Sequence, residues 1–199
     1  MAQQEKNRKI RAVLAGGLVL GVGVAVTLAA WNDSEFAEGV FGTGHFNMQG
    51  STDGINFNDH ASEAPASLSF TVEPSTMSPE DTVAAPFVLH LDEKTTNNAK
   101  VNVASGLGSG TAVDQLSYAI VQVPSLAECT PEATGTVIVP AGTVFGAANG
   151  GATFDLSKSV VSGEPGADAF LCVQVTAGQG LVQDTVATAT WEFIGQSVS

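Results

Sequence analysis

Apolar and polar residues alternate along most of this 199-residue chain, and this period of two is the feature that most constrains its fold. Between residues 68 and 73, for example, Leu68, Phe70 and Val72 are each followed by a polar residue. Such alternation is typical of a β-strand that buries one face and exposes the other. The pattern recurs at 87–92, 101–103, 116–120, 137–139, 154–156, 171–175 and 187–193, and residues 41–48 form a further candidate. The sequence therefore predicts about nine short strands.

Segments rich in glycine, proline, serine and aspartate separate these candidate strands. They lie at 51–54, 73–75, 106–110, 149–151, 163–166 and 178–180. The glycine-rich segment 106–110 is interpreted as a flexible turn. No window after Ala30 shows the 3.6-residue period of an amphipathic helix. We therefore expect an all-β fold, a single antiparallel β-sandwich or jelly roll, over residues 41–199.

The beginning of the chain has the layout of a secretory signal peptide. Four of the seven basic residues lie in the first eleven positions, and the uncharged, mostly apolar segment 12–30 follows them. A cationic start, an apolar helix and small residues at its end are typical of a signal for export. We therefore expect a secreted or cell-surface protein. The alternative is an uncleaved membrane anchor, because such a segment is just long enough to span a bilayer.

The end of the apolar segment predicts the cleavage site. Thr27 and Ala29 are small residues at the −3 and −1 positions of a cut after Ala29, which would make Ala30 the first residue of the mature protein. The predicted organisation is then a signal peptide at 1–29, a mature N-terminal segment at 30–40 and the β-sandwich domain.

The mature chain is strongly acidic. From Ala30 onward it has three lysines, no arginine and 19 acidic residues, a formal charge of −16. Nucleic-acid binding requires clustered cations that face the phosphates. We therefore expect no nucleic-acid partner, and contact with a membrane only through the uncleaved signal.

The two cysteines, Cys129 and Cys172, are predicted to form a disulfide, because an exported chain meets oxidising conditions. In the alternation of its strand, Cys172 lies on the face opposite to Leu171 and Val173, and Cys129 lies close to Pro131. The bridge is therefore expected to join a loop to a strand. The alternative is a pair of buried free thiols.

Residues around the predicted cleavage site resemble those of the TasA/camelysin family, whose members are exported by the dedicated signal peptidase SipW. In this family a small-residue cleavage site precedes an aromatic residue, Asn or Thr, and Asp, and a short spacer then leads to the first strand. Here Trp31 and Asp33 take the aromatic and acidic places, Phe36 lies in the spacer, and residues 44–48 form the strand. The segment 187–193 is similar to the last strand of such proteins, and the glycine-rich signal resembles that of an actinobacterial member.

The resemblance implies a jelly-roll subunit that a SipW-type signal peptidase releases and that self-associates into extracellular matrix or biofilm fibres. It also implies that the mature N-terminal segment, with Trp31, Asp33 and Phe36, mediates this assembly.

Candidate catalytic chemistry is sparse. Because camelysin-like proteins have been classed as metallopeptidases, a zinc site is the first to consider. The common helical zinc motif places two histidines four residues apart with a glutamate between them. His45, His60 and His90 are instead 15 and 30 residues apart, and the alternation places His90 on the outer face of its strand. We therefore predict no catalytic residues, no metal ligands and no enzymatic activity.

The polar segment 53–59 allows two interpretations. Its aspartate and asparagine side chains offer oxygen ligands for calcium, but it lacks the regular spacing and distant glutamate of a helix–loop–helix calcium site. The favoured interpretation is a polar hairpin that uses Asp-Gly turn chemistry, with no cofactor.

Three functions from different classes remain. The first is a secreted structural subunit of fibres, the second is a monomeric secreted or surface β-sandwich that binds a ligand, and the third is a camelysin-like metallopeptidase.

Overall fold

A computed structural model describes residues 4–7, 9–11, 35, 37–40, 42–70, 76–147 and 151–198. The chain divides into two units, Met1–Gly42 and Thr43–Ser199. Residues 4–7 and 9–11 of the first unit are helical, and no helix within the described ranges is long and apolar enough to cross a membrane. The positions predicted for cleavage and assembly lie outside the described residues: Thr27, Ala29, Ala30, Trp31, Asp33 and Phe36.

The second unit consists almost entirely of β-strands. The described strands are β1 (Met48–Ser51), β2 (Thr82–Leu91), β3 (Asn98–Gly110), β4 (Leu116–Val123), β5 (Thr136–Val144), β6 (Phe154–Leu156), β7 (Ala169–Ala177) and β8 (Ala187–Val198). Every pairing between them is antiparallel, in a five-stranded sheet of order β1-β2-β7-β4-β5 and a three-stranded sheet of order β6-β3-β8. The prediction of an antiparallel, mostly β protein is confirmed.

The two sheets share one core, which makes the arrangement sandwich-like. Leu89 and Leu171 of the larger sheet are buried in the same cluster as Val101 and Phe154 of the smaller sheet. Burial of this apolar surface supplies the main driving force for folding. Every described strand, the shared core and the disulfide lie within Thr43–Ser199.

Residues 68–72 were expected to form a strand, and the structure corrects this for the described part of the segment. Ala66, Leu68 and Phe70 are partly buried against the core, while the two serines between them are exposed. The alternation is therefore present, but residues 66–70 adopt no strand conformation. A strand requires a backbone partner as well as an apolar face, and alternation in the sequence reports only the face.

The strand expected at 41–48 is also corrected, since β1 begins only at Met48. The preceding described residues contact the turn after β2 instead. The Thr96 N–H donates to the His45 carbonyl at 2.9 Å, and the Asn47 N–H donates to the Thr95 hydroxyl at 2.9 Å. These bonds to a turn replace the ladder of a longer strand.

The glycine-rich segment 106–110 is not a flexible turn, because it forms the end of β3 and pairs with Ala187–Trp191 of β8. The ring of Tyr118, packed beside this segment, explains Gly106. A Cβ atom at Gly106 would lie 2.7 Å from Cζ of Tyr118, whose hydroxyl accepts a hydrogen bond from the Gly106 N–H at 3.0 Å. Gly106 therefore permits close packing, whereas Gly110, with a φ of +102°, leads into the turn at 111–112.

Candidate functional site

The structure contains the predicted disulfide between Cys129 and Cys172, whose Cα atoms are 5.1 Å apart. Cys172 lies in β7 on the face away from the main core, and Cys129 follows the 3-10 turn Leu126–Glu128. Both cysteines are buried in a second, smaller cluster with Val121 and Val123 of β4. The bridge thus joins a loop to a strand, and it is of the kind that forms in oxidising compartments.

Two of the three histidines have carboxylate partners. His45 Nε2 is 2.9 Å from Asp92 Oδ2, and His90 Nδ1 is 3.0 Å from Asp168 Oδ1. His90 lies outside the main core cluster, yet it is only 6% exposed because the Phe57 ring stacks on it with centroids 3.7 Å apart. Among the residues that the structure describes, no three His, Cys, Asp or Glu side chains are close enough to hold a metal ion.

Asp53, the first residue of the segment considered for calcium, holds a turn. Its Oδ1 accepts hydrogen bonds from the backbone N–H groups of Ile55 and Asn56 and from the Ser51 hydroxyl, each at 2.8 Å. The bond from the Asn56 N–H is the largest of several that hold the pKa of this carboxyl well below its usual range. Two backbone hydrogen bonds between residues 50 and 58 close the hairpin. The carboxylate therefore serves as the acceptor of an Asp-Gly turn.

Asp92 provides a test of the pH dependence of stability. Burial by itself raises the pKa of this carboxyl, but the hydrogen bonds from Thr95 and His45 and the charge of His45 outweigh burial and hold the pKa below its ordinary value of 3.8. A carboxyl with a lowered pKa in the folded state stabilises the protein above pH 3.8, and this stabilisation is lost as the pH falls through the folded pKa. We expect Asp92→Asn to lower the melting temperature at pH 6, and the difference from wild type to shrink below pH 3.8.

Melting curves recorded between pH 2 and pH 7 by circular dichroism would measure this effect. Asp155→Asn is the matched control, because Asp155 is an exposed carboxylate that contacts Lys100 on the surface. A difference between wild type and Asp92→Asn that stays constant over the whole pH range would contradict the prediction.

The long strand β8 forms one edge of the smaller sheet. One side of β8 pairs with β3, and within the described ranges no strand pairs with the other side. Natural edge strands are usually short, or are protected by lysine, proline or a bulge. β8 has 12 residues, contains neither lysine nor proline, and has Glu192 as its single charged residue. The one register shift in its ladder lies between Val103 and Gly106, with the extra residue on β3 and not on β8. Its outer backbone groups are therefore suited to pair with an added strand.

A cavity of about 670 Å³ lies beside β8. Residues 188–193 of β8 form one wall, and apolar side chains of the larger sheet, including Phe87 and Leu89, form another. Residues 61–70 also line the cavity through Ala66, Leu68 and Phe70. The cavity thus lies between the two sheets, at a place where they are covered by the irregular segment 61–70 and not by another strand.

Trp191 of β8 is the most unusual residue in this cavity. Its ring packs near Phe145 and Tyr118, with centroids 5.9 Å and 6.0 Å away. The indole Nε1 is nevertheless buried with no hydrogen-bond partner in the described part of the chain. Leaving a buried donor unpaired costs about 1–3 kcal/mol. Tyr118 and Phe145 are not among the residues that line the cavity.

In comparisons with known proteins, no protein-family model matches this chain and no curated protein is detectably similar to it. The resemblance to the TasA/camelysin family therefore rests on the residues of the chain itself.

The site beside β8 could not be found from the sequence alone. The alternation at 187–193 predicted β8 but carries no signal for an edge position, which depends on distant pairing partners. The alternation of Leu68 and Phe70 was the available signal for the cavity wall, but it was interpreted as part of a strand. His60 lines the same cavity and was considered only as a metal ligand.

Proposed function

We propose that this protein is a secreted structural subunit, similar to members of the TasA/camelysin family, that assembles into extracellular matrix or biofilm fibres. Its partner in this proposal is a second copy of the same chain, and it catalyses no reaction. The observation that carries the proposal is the outer edge of β8, which has no strand beside it in the described part of the structure. The backbone groups of such an edge can pair with an extended segment from another chain.

A jelly roll is the finer fold that we propose. In an eight-stranded jelly roll, strands 2-7-4-5 form one sheet and strands 1-8-3-6 form the other. The order β2-β7-β4-β5 and the order β8-β3-β6 match these two sheets in all but the first strand. β1 pairs with β2 instead of β8. This departure supports an acceptor position beside β8, at the place that the first strand would occupy.

The mature N-terminal segment of a neighbouring subunit is the proposed donor for this position. Residues 30–40 include Trp31 and Phe36, large apolar residues that gain stability from a partner. Addition of one subunit to the next in this way does not close on itself, so it produces a filament. Cleavage after Ala29 by a SipW-type signal peptidase would release the donor, and the Cys129–Cys172 disulfide supports an oxidising location outside the cytoplasm.

A comparison of two chains tests the proposal. We expect a chain that starts at Ala30 to form filaments visible by electron microscopy and light scattering, and a chain that starts at Gly39 to remain monomeric. Because the formal charge of −16 makes subunits repel one another, assembly should strengthen with added salt, divalent cations or low pH.

Matched variants of the longer chain act as controls. Trp31→Ser combined with Phe36→Ser should abolish filaments, whereas Ser34→Ala in the same segment should leave them unchanged. If both chains stay monomeric, or both polymerise equally, donation by the N-terminal segment is wrong.

The cavity beside β8 favours a second function, that of a monomeric secreted protein that binds a ligand. In that case the Ala30 and Gly39 chains would both remain monomeric and would bind the same molecule with the same affinity.

A further inference from the structure

We propose that the segment 30–40 of a neighbouring copy adds to β8 with Phe36 facing the cavity and Trp31 facing solvent. Phe36 is then the residue that anchors one subunit to the next. This inference rests on the proposed function and specifies its contact. Three properties of the chain support it: one sheet edge is unprotected, one side of that edge is apolar, and the charges of the segment alternate unequally between its two faces.

β8 is the least protected of the four sheet edges in the described part of the chain. β1 and β6 have only four and three residues. β5 contains Pro140, which has no N–H to donate, and its pairing with β4 is irregular at two places. Short length, proline and irregular pairing are usual devices that prevent the addition of a strand. β8 is therefore the edge at which a strand from another copy can add.

The two sides of β8 differ in chemical character. Ala189, Trp191 and Phe193 lie on one side of the strand, because side chains alternate, and all three line the cavity. Glu192 and Ile194 lie on the other side and are exposed. A strand that pairs with β8 continues the same sheet, so every second side chain of the added strand points towards the cavity.

The cavity accepts an aromatic ring but not a charge. Its volume is about 670 Å³, whereas an apolar cavity of about 150 Å³ is enough to hold benzene. No lysine or arginine is among the described residues that line it, and its titratable residues, His60 and Glu192, are both exposed. A carboxylate that pointed into the cavity would lose its hydration without meeting a lysine or arginine, which is strongly unfavourable.

The two aromatic residues of the segment cannot both enter the cavity. Phe36 is five positions from Trp31, so their rings lie on opposite faces of a strand. The six residues 188–193 of β8 line the cavity, and three side chains of an added strand face a stretch of this length. The mature chain begins at Ala30, so any three such positions that include Trp31 also include Asp33 and Glu35.

The face of Phe36 offers an uncharged alternative. Asn32, Ser34 and Phe36 are three successive positions on this face, and none carries a charge. They bring an aromatic ring into the cavity and keep both carboxylates of the opposite face in solvent. The described residues of the segment, 35 and 37–40, are exposed and belong to no strand, so they are accessible to another copy.

Two variants that add one carboxylate to opposite faces of the segment test this orientation. Ser34→Asp places it on the face of Phe36, and Ala37→Asp places it on the face of Trp31. Each is expressed as the full 199-residue chain in a host with a SipW-type signal peptidase, and the exported protein is purified from the medium. We expect Ser34→Asp to raise the protein concentration needed for filaments by about a hundredfold or more, and Ala37→Asp by less than about threefold.

Single replacements compare the two aromatic residues directly. Phe36→Ser should raise the concentration needed for filaments by about ten- to a hundredfold, because a buried ring is lost. Trp31→Ser should raise it by less than about threefold. All four variants should melt at the temperature of the wild type at low ionic strength, where charge repulsion opposes assembly, because residues 30–40 belong to no described strand.

Tryptophan fluorescence reports the orientation without depending on the yield of filaments. The wild type has Trp31 and Trp191, and Trp31→Phe combined with Phe36→Trp moves the first of them to the other face. On assembly we expect the emission of this double variant to move to shorter wavelength, because its new ring enters the cavity. The emission of the wild type should move little. Trp191 is present in both proteins, so its contribution cancels in the comparison.

The outcomes separate this inference from the function on which it rests. If the exported wild type forms no filaments under any condition, the proposed function is wrong and the inference falls with it. If the wild type forms filaments but the two added carboxylates weaken assembly equally, the proposed function stands and the orientation is wrong. A larger loss for Trp31→Ser than for Phe36→Ser, or a larger emission shift in the wild type than in the double variant, would show that Trp31 faces the cavity.

Discussion

Replacing both Cys129 and Cys172 with alanine is expected to lower the free energy of unfolding by about 4 kcal/mol. The two cysteines are 43 positions apart, so their bridge removes a large closed loop from the conformational freedom of the unfolded chain. For a protein of this size we expect the melting temperature to fall by roughly 10 °C. The loss should include a contribution from the small cluster on the outer face of β7, where both cysteines are buried.

Thermal melting with and without a reducing agent separates the bridge from side-chain packing. The reductant should lower the melting temperature of the wild type and leave the double variant unchanged. Thiol labelling of the denatured, unreduced wild type provides an independent check. Two reactive thiols per chain, or equal stability of the two proteins, would show that the disulfide does not form or does not stabilise the fold.

Leu171→Ala is expected to lower the free energy of unfolding by about 2–5 kcal/mol. Leu171 lies in β7, the central strand of the larger sheet, and its side chain is fully buried in the core that both sheets share. Truncation removes apolar contacts and leaves a cavity that the strands on either side of β7 cannot close. The effect is large compared with the total stability of a typical domain, about 5–15 kcal/mol.

Leu107→Ala is the matched control, because it deletes the same atoms from a side chain that is 61% exposed on β3. Chemical denaturation of both variants would measure the difference, and the control should lose less than about 1 kcal/mol. Similar losses for the two variants would mean that Leu171 is not in the shared core.

Local patterns predicted most of the strands. Alternation at 116–120, 154–156 and 171–175 lies within β4, β6 and β7, because a strand with one buried face needs an apolar residue at every second position. The same rule placed Cys172 opposite Leu171 and Val173, on the face where it joins Cys129. The strands depend on neighbouring residues in the sequence, and the disulfide pairing follows because the chain has only two cysteines.

Local patterns failed where the outcome depended on a distant residue. The glycines at 106–110 have the composition of a turn, but Tyr118 and β8 determine that they form a strand. His90 was expected on an outer face, and the ring of Phe57 then buries it. In both cases the partner comes from another part of the chain.

The sequence by itself determined that the chain forms β-strands, which face of most strands points inward, and which cysteines pair. The first two follow from the alternation of apolar residues, and the third follows from the presence of only two cysteines. Only the tertiary structure decided that β8 is an edge, that residues 66–70 line a cavity without joining a sheet, and that the Trp191 N–H is buried without an acceptor in the described part of the chain. Strand order is set by long-range backbone pairing, and alternation is the same whether or not a strand has a neighbour. The candidate site is therefore a product of topology, assembled from segments that carry no common motif.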